Sequence, residues 1–281
     1  MTTDNSQFAK YLKLVRENPK KKRALYVGDS WFQYPLRPRV ADLQTRIDTK
    51  FRNDLLGLDD SYPGRDADET VGLIGRWRGF ASDLQERRKP FNLICVSLGG
   101  NDIIGKDFAQ HLFAVPTEQP DFKWQWSVAV PEVVKTRINI KSLNQAFDTI
   151  AHAYRLIFGL RDEFAPKATV ISHTYADVTP KNAPYRFAGI KAGPWIWKPL
   201  TRVGIRTAAL QREISRWLLL SFANLLKKLA EQNQRFVVLD SRQELPDFDG
   251  WWDNEIHPLG DGFKLLAEKY WFPAVRDVLA T

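Results

Sequence analysis

Residues 24–31, ALYVGDSW, join a short apolar run to a glycine, a carboxylate and a hydroxyl. The apolar run has the length and composition of a buried β-strand. Gly28 allows a tight turn after it, because glycine has no Cβ. A turn does not require a serine, whereas a nucleophile held at the tip of a strand would require both the glycine and the serine. The stretch therefore predicts a strand that presents the Ser30 hydroxyl.

Apolar runs and helical periodicities alternate along the rest of the chain. Further strands are predicted at 55–58, 92–98, 168–175 and 236–240. Helices are predicted at 5–17, 40–50, 66–86, around 143–157, at 206–230 and from about 260. Such alternation is typical of an α/β fold, in which helices cover both faces of a mainly parallel sheet. We expect one domain, 1–281, with irregular insertions near 113–140 and 176–204.

The composition is that of a globular protein, with 44% hydrophobic and 26% charged residues in a chain of 281. The one cysteine, Cys95, lies in an apolar run and is expected to be a buried thiol. A disulfide within the chain is therefore excluded, which favours a reducing compartment. The N-terminal segment does not resemble a signal peptide, and no run of about 18 apolar residues occurs. These features predict a cytoplasmic protein without a transmembrane segment.

The formal net charge is +8, and the basic run KKKR occupies 20–23. Such a run could contact phosphates, but no known nucleic-acid-binding motif accompanies it. We therefore interpret it as a solvated segment before the first strand and expect no nucleic-acid partner. The four histidines lack the spacing of metal ligands, so no metal or other cofactor is expected.

Polar residues cluster at the predicted strand ends. Ser30, Gly64, Asn101 and His173 each lie at or just after the carboxyl end of a strand, and His257 lies in the loop after the last one. In parallel α/β sheets, ligands bind at this edge. The five residues are therefore candidates for one site.

Together these residue types suit acyl transfer. A serine hydroxyl becomes a good nucleophile when a base takes its proton, and histidine has a suitable pKa for that task. The intermediate carries negative charge on the former carbonyl oxygen, which needs hydrogen-bond donors. The backbone N–H of Gly64 and the side-chain amide of Asn101 are candidate donors.

The motifs GDSW at 28–31, GGND at 99–102 and IHP at 256–258, with Gly64 between the first two, resemble those of the SGNH/GDSL hydrolases. Their order and spacing match over 24–270. The resemblance implies a flavodoxin-like three-layer α/β/α sandwich with a mainly parallel five-stranded sheet. It also implies metal-independent ester hydrolysis.

The same resemblance implies a role for each motif residue. Ser30 would be the nucleophile and His257 the base. The backbone of Ser30, the N–H of Gly64 and the side chain of Asn101 would form the oxyanion hole. Asp29 would be structural and would form hydrogen bonds around the nucleophile turn.

One position departs from the family pattern. The family usually carries an aspartate three residues before the histidine, where this chain has Asn254, preceded by Asp253. An asparagine can orient an imidazole but adds no negative charge, and this loss can reduce the rate strongly. Three interpretations remain open: a local bulge brings Asp253 to the ring, a dyad works with Asn254 or a backbone carbonyl, or the site is weak or inactive.

Two further residues are candidate contacts for a substrate. Trp31 follows the proposed nucleophile, and His173, at a strand end, could line the pocket or be structural. The expected substrate is a small-molecule, lipid or carbohydrate ester. A ligand-binding protein with a disabled site and an acyltransferase that uses the same residues remain alternatives.

Overall fold

The structure is a computed structural model, and it describes residues 5–35, 40–121, 123–126, 128–187, 190–246 and 250–281. Its strands are β1 Lys22–Gly28, β2 Leu55–Asp59, β3 Leu93–Ser97, β4 Thr169–His173, β5 Tyr185–Phe187, β6 Ile190–Ala192 and β7 Phe236–Leu239. Five of them form a fully parallel sheet in the order β2-β1-β3-β4-β7. The strands β5 and β6 form a separate antiparallel hairpin.

The helices are α1 Asn5–Glu17, α2 Leu43–Lys50, α3 Ala67–Glu86, α4 Gly100–Ile103, α5 Glu132–Arg137, α6 Ile140–Phe164, α7 Trp197–Arg202, α8 Ala208–Gln232, α9 Gly260–Leu266 and α10 Phe272–Ala280. A 3₁₀ turn, Phe108–His111, follows α4, and a π-helical turn, Ala267–Trp271, joins α9 to α10. Helix α6 packs against α3 and α8, whereas α2 packs against α9 and the π-helical turn. The expected α/β fold, with a five-stranded parallel sheet flanked by helices, is confirmed.

Local sequence explains why the major elements form where they do. The side chains of Asp42, Asp66 and Asn139 accept hydrogen bonds from backbone N–H groups and so cap α2, α3 and α6. Strand β3 is buried along its whole length, which fits its continuous apolar sequence in the middle of the sheet. Cys95 lies on this strand as a buried free thiol, as predicted.

The two insertions are more regular than the sequence suggested. The segment 113–140 contains α5, and the segment 176–204 contains the β5–β6 hairpin and α7. These elements are three to six residues long, too short to produce a clear periodicity in the sequence. The prediction of a single domain stays a prediction.

Among the described residues, no helix is both long and apolar enough to span a bilayer.

Strands β1 and β3 approach closely at the end of β1. Gly28 pairs with Ser97, and a Cβ added to Gly28 would lie 2.6 Å from the carbonyl oxygen of Ser97. The glycine therefore allows the two strands to stay in register where the turn that carries Ser30 begins.

Replacing Gly28 by alanine should destabilise the fold, because the new methyl group meets backbone rather than a movable side chain. We expect Gly28→Ala to lower the free energy of unfolding by about 1–3 kcal/mol, measured by urea denaturation. Gly79→Ala is the matched control, since Gly79 is exposed in α3 and its added Cβ would meet no atom within 4 Å. That variant should be more stable by up to about 1 kcal/mol. Equal effects of the two substitutions would contradict the steric argument.

Candidate active site

Ser30 lies in a tight turn directly after β1. The backbone N–H of Asp29 donates to the carbonyl of Ser97 at 3.0 Å, which continues the pairing with β3 by one residue. The N–H groups of Phe32 and Gln33 then donate back to the carbonyl of Asp29, at 3.2 and 3.1 Å. Ser30 is held at the apex of this turn with 7% of its surface exposed.

The carboxylate of Asp29 lies beneath the turn and joins three parts of the chain. It accepts hydrogen bonds from the Trp31 N–H at 3.0 Å, the Ser97 hydroxyl at 2.8 Å and the Tyr175 hydroxyl at 2.5 Å. Burial raises the pKa of Asp29 to about 6, against the effect of these hydrogen bonds. The predicted structural role of Asp29 is therefore confirmed.

His173 belongs to the same buried network. Because the Ser97 hydroxyl donates to Asp29, it can accept the N–H of His173 Nε2 at 3.0 Å. Burial lowers the pKa of His173 to about 3, so its ring is neutral at pH 7.

Trp31 and His173, the two candidate substrate contacts, are both buried. They are 3% and 1% exposed, and their ring centroids lie 5.3 Å apart. The Trp31 ring also packs edge-on against Tyr175 and Phe263. Both side chains therefore pack in the core beside the turn that carries Ser30.

His257 is presented by a loop that closes on itself before α9. The N–H of Asp253 donates to the carbonyl of His257 at 2.9 Å, and that of Leu259 donates to Trp251 at 2.8 Å. This pairing brings the imidazole to the end of β1. His257 Nε2 lies 2.6 Å from Ser30 Oγ, within hydrogen-bonding distance of a base and its nucleophile.

The other ring nitrogen of His257, Nδ1, lies 2.9 Å from Asn254 Oδ1. The same oxygen accepts the backbone N–H groups of Ile256 and His257, both at 3.1 Å. Two backbone donors identify this atom as the amide oxygen, so Nδ1 carries a proton and Nε2 is free to accept one from Ser30. Burial lowers the pKa of His257 to about 3, which keeps the ring neutral at pH 7.

Asp253 does not take the position beside the ring. Its carboxylate instead accepts hydrogen bonds from the Asn254 Nδ2 at 3.0 Å and from the Tyr34 hydroxyl. Of the three interpretations left open by the sequence, the geometry matches the one in which Asn254 orients His257. The bulge that would bring Asp253 to the ring is not the observed arrangement, because the backbone bonds of the loop place Asn254 there.

Gly64 lies in the loop after β2, and Asn101 lies in the short helix α4 that follows β3. The Tyr62 N–H donates to the carbonyl of Gly28 at 2.9 Å, which ties the loop after β2 to the end of β1. Asn101 Nδ2 donates to the carbonyl of Arg65 at 3.0 Å. Gly64, with φ of +81°, lies between these two contacts in a backbone conformation that favours glycine.

Solved structures resemble this arrangement of strands and helices. An extracellular lipase from Streptomyces rimosus is 13% identical and has a TM-score of 0.50 over 92% of this chain and 99% of that chain. The chain shares the fold of this lipase, an α/β fold with a five-stranded parallel sheet flanked by helices. A lipolytic protein of the G-D-S-L family from Veillonella parvula is 16% identical, with a TM-score of 0.46 over 88% of this chain and 95% of that chain. A carbohydrate esterase family 3 protein from Talaromyces cellulolyticus is 9% identical, with a TM-score of 0.49 over 92% and 98%.

No family model and no curated protein matches the sequence. At 13% identity, the likeness to the Streptomyces rimosus lipase establishes the fold alone, and the chemistry must be argued from the residues of this chain.

Part of the segment 176–204 packs against the loop that carries His257. The buried carboxylate of Glu255 accepts the backbone N–H groups of Ile196 at 2.9 Å and Trp197 at 2.6 Å. Burial raises the pKa of Glu255 to about 7. The Trp195 ring then lies edge-on to the imidazole of His257, with 5.6 Å between centroids. The role of Glu255 could not be predicted from the sequence, since its partners are backbone groups about 60 residues away that leave no motif.

Among the described residues, no group of three or more histidine, cysteine, aspartate or glutamate side chains is placed to hold a metal ion.

The buried Asp29 carboxyl should make stability depend on pH. Its pKa is about 6 in the folded chain and near 3.8 when unfolded, so the folded state binds more protons between these values. The stability that this group contributes is present below about pH 4 and is lost as the pH rises through 6. An asparagine at position 29 does not titrate, so the variant Asp29→Asn serves as the reference. We expect the free energy of unfolding of the wild type, relative to that of this variant, to fall by up to about 3 kcal/mol between pH 4 and 7.

Urea denaturation of both proteins across this range measures the difference. A wild-type advantage over Asp29→Asn that grows as the pH rises would contradict the assignment.

Proposed function

We propose that the protein is a serine hydrolase that cleaves carboxylic esters through an acyl-enzyme on Ser30. The observation that carries the proposal is the chain of hydrogen bonds from Ser30 Oγ through His257 to Asn254. It combines a nucleophile, a base in the required tautomer and a residue that fixes the base.

In the first step, Ser30 Oγ attacks the ester carbonyl carbon while His257 Nε2 takes the hydroxyl proton. The carbonyl π electrons move to oxygen, and the resulting tetrahedral intermediate is an oxyanion. The proton on Nδ1 stays in its hydrogen bond to Asn254, so the ring does not rotate as it becomes charged.

The oxyanion needs donors that already point at it. We assign this role to the backbone N–H groups of Ser30 and Gly64 and to the side chain of Asn101. One Nδ2 hydrogen of Asn101 is bound to the carbonyl of Arg65, which orients the amide and leaves its second hydrogen for the substrate. Each donor typically contributes roughly 3 kcal/mol to transition-state stabilisation.

Collapse of the intermediate breaks the bond between the carbonyl carbon and the alcohol oxygen. His257 returns its proton to the departing alkoxide, and the acyl group remains on Ser30. A water molecule then loses a proton to His257 and attacks the acyl carbon. The second tetrahedral intermediate releases the carboxylic acid, and Ser30 regains its proton from His257.

Asn254 supports activity rather than a disabled site. A residue that only filled space would leave the imidazole free to adopt either tautomer. Here the amide oxygen accepts two backbone N–H groups of its own loop, so its orientation is fixed independently of the imidazole.

The proposal predicts covalent labelling of one serine by a fluorophosphonate probe, read as a single mass increase of the intact protein. Labelling and hydrolysis of short p-nitrophenyl esters should fall at least roughly 10³-fold in Ser30→Ala and His257→Ala, because both residues take part in each chemical step. Ser82→Ala, on α3 and away from the site, is the matched control and should label like wild type.

A folded Ser30→Ala protein that keeps its esterase activity would refute the mechanism. A folded wild-type protein that binds esters but neither turns them over nor labels would favour the ligand-binding alternative. Transfer of the acyl group to an added alcohol in preference to water would identify an acyltransferase with the same nucleophile.

A further inference from the structure

A carboxylate lies one hydrogen bond behind the residue that orients His257. Asn254 Nδ2 donates to Asp253 Oδ2 at 3.0 Å and to the Tyr34 hydroxyl oxygen at 3.2 Å. The Tyr34 hydroxyl in turn donates to Asp253. The three side chains thus form a closed ring of hydrogen bonds on the side of Asn254 that faces away from the imidazole.

The direction of each bond in this ring is determined. Burial and the bond to Asp253 raise the pKa of the Tyr34 phenol, so the hydroxyl keeps its proton and donates it. The amide of Asn254 has its oxygen toward His257 and its nitrogen toward Asp253. All dipoles therefore align between the carboxylate and the imidazole, and aligned hydrogen bonds strengthen one another.

The base itself creates a need for negative charge. His257 is 6% exposed, and burial disfavours the imidazolium that must form when Ser30 loses its proton. A neutral amide alone offers only a dipole to this cation. Asp253 is the anion that the hydrogen-bond network of Asn254 reaches.

We infer that Asp253 is a positioning residue whose charge stabilises the His257 imidazolium through the amide of Asn254. Tyr34 holds the side chains of Asp253 and Asn254 in position. This inference rests on the proposed function. It assigns to three side chains the task that a single carboxylate beside the ring would otherwise perform.

The arrangement also explains why residue 254 is an asparagine. A carboxylate at this position would place an oxygen about 3 Å from Asp253 Oδ2, where Nδ2 now lies. Two carboxylates at this distance cannot both be ionised without a large cost, so they would share a proton. Positions 253 and 254 can therefore hold one ionised acid between them. Exchanging the aspartate and the asparagine should preserve this single negative charge.

The exchange is the decisive experiment. Four proteins are compared: wild type, Asp253→Asn, Asn254→Asp, and the double variant Asp253→Asn/Asn254→Asp. Fluorophosphonate labelling rates should fall roughly ten- to fifty-fold in both single variants at pH 7. Asp253→Asn removes the negative charge, and Asn254→Asp creates two acids that share a proton. The double variant should recover to within about tenfold of wild type. Asp83→Asn, which removes a charge from α3, should label like wild type.

A second readout does not depend on activity. The Nδ1 proton of His257, assigned by its absence in His257→Ala, reports the strength of its acceptor in the ¹H NMR spectrum at pH 7. We expect this resonance to move upfield in Asp253→Asn and back downfield in the double variant. A purely structural role of Asp253 would change folding stability without restoring the resonance on exchange.

Tyr34→Phe tests the third member of the ring. The ring packing against His257, 5.0 Å between centroids, is retained while the hydroxyl is lost. We expect kcat to fall about three- to thirty-fold with KM nearly unchanged. The reason is that the hydrogen bonds of the Tyr34 hydroxyl contribute when the His257 imidazolium forms, and not when the substrate binds. Tyr11→Phe removes another buried hydroxyl, bonded to the Leu56 carbonyl in β2, and should leave both constants unchanged.

The outcomes separate this inference from the proposed function. If the wild type is not labelled but its Nδ1 resonance still responds to Asp253→Asn, the proposed hydrolase function is refuted. The inferred effect of Asp253 on His257 through Asn254 is then supported. If the wild type is labelled but the labelling rate does not fall in Asp253→Asn, or does not recover in the double variant, the inferred role of Asp253 is overturned. The proposed hydrolase function is then unaffected.

Discussion

The buried carboxylate of Asp29 is the interaction on which the geometry of the site depends. It binds the Trp31 N–H within the nucleophile turn, the Ser97 hydroxyl at the end of β3 and the Tyr175 hydroxyl beyond β4. A carboxylate without such partners would be very unfavourable in this position. The turn, β3 and the segment after β4 are therefore held together by a single group, and the turn holds the Ser30 hydroxyl against His257.

The same principle is used twice more around the site. Asp102 accepts the N–H of Ala67 at the start of α3, and Glu255 accepts two N–H groups at the start of α7. Burial raises the pKa of both carboxyls to about 7. Each segment that carries a proposed catalytic group is thus fixed by a buried acid that is hydrogen-bonded to another segment of the chain. Such fixed donors and acceptors need little reorganisation as charge develops during the reaction.

The strands of the main sheet could be predicted from sequence because each carries a local apolar signal, and Ser30, Asn101 and His257 follow from strand ends and motifs. The roles of Trp31 and His173 could not, since a position at a strand end does not tell whether a side chain faces solvent or core. Tyr34 was missed for another reason. It lies 219 residues from Asp253, and only the closed fold brings the two together.

Asn254 shows how the demands on the proposed catalytic base, His257, can be divided between two side chains. The imidazole requires an acceptor that fixes its tautomer and a negative charge that stabilises its protonated form. An aspartate beside the ring meets both demands with one side chain. An amide provides the acceptor, but it can provide the effect of a negative charge only if an anion is hydrogen-bonded to its other end. The amide is well suited to this, because it accepts from the ring at one end and donates to Asp253 at the other. Loss of the carboxylate at position 254 therefore does not by itself imply loss of catalysis.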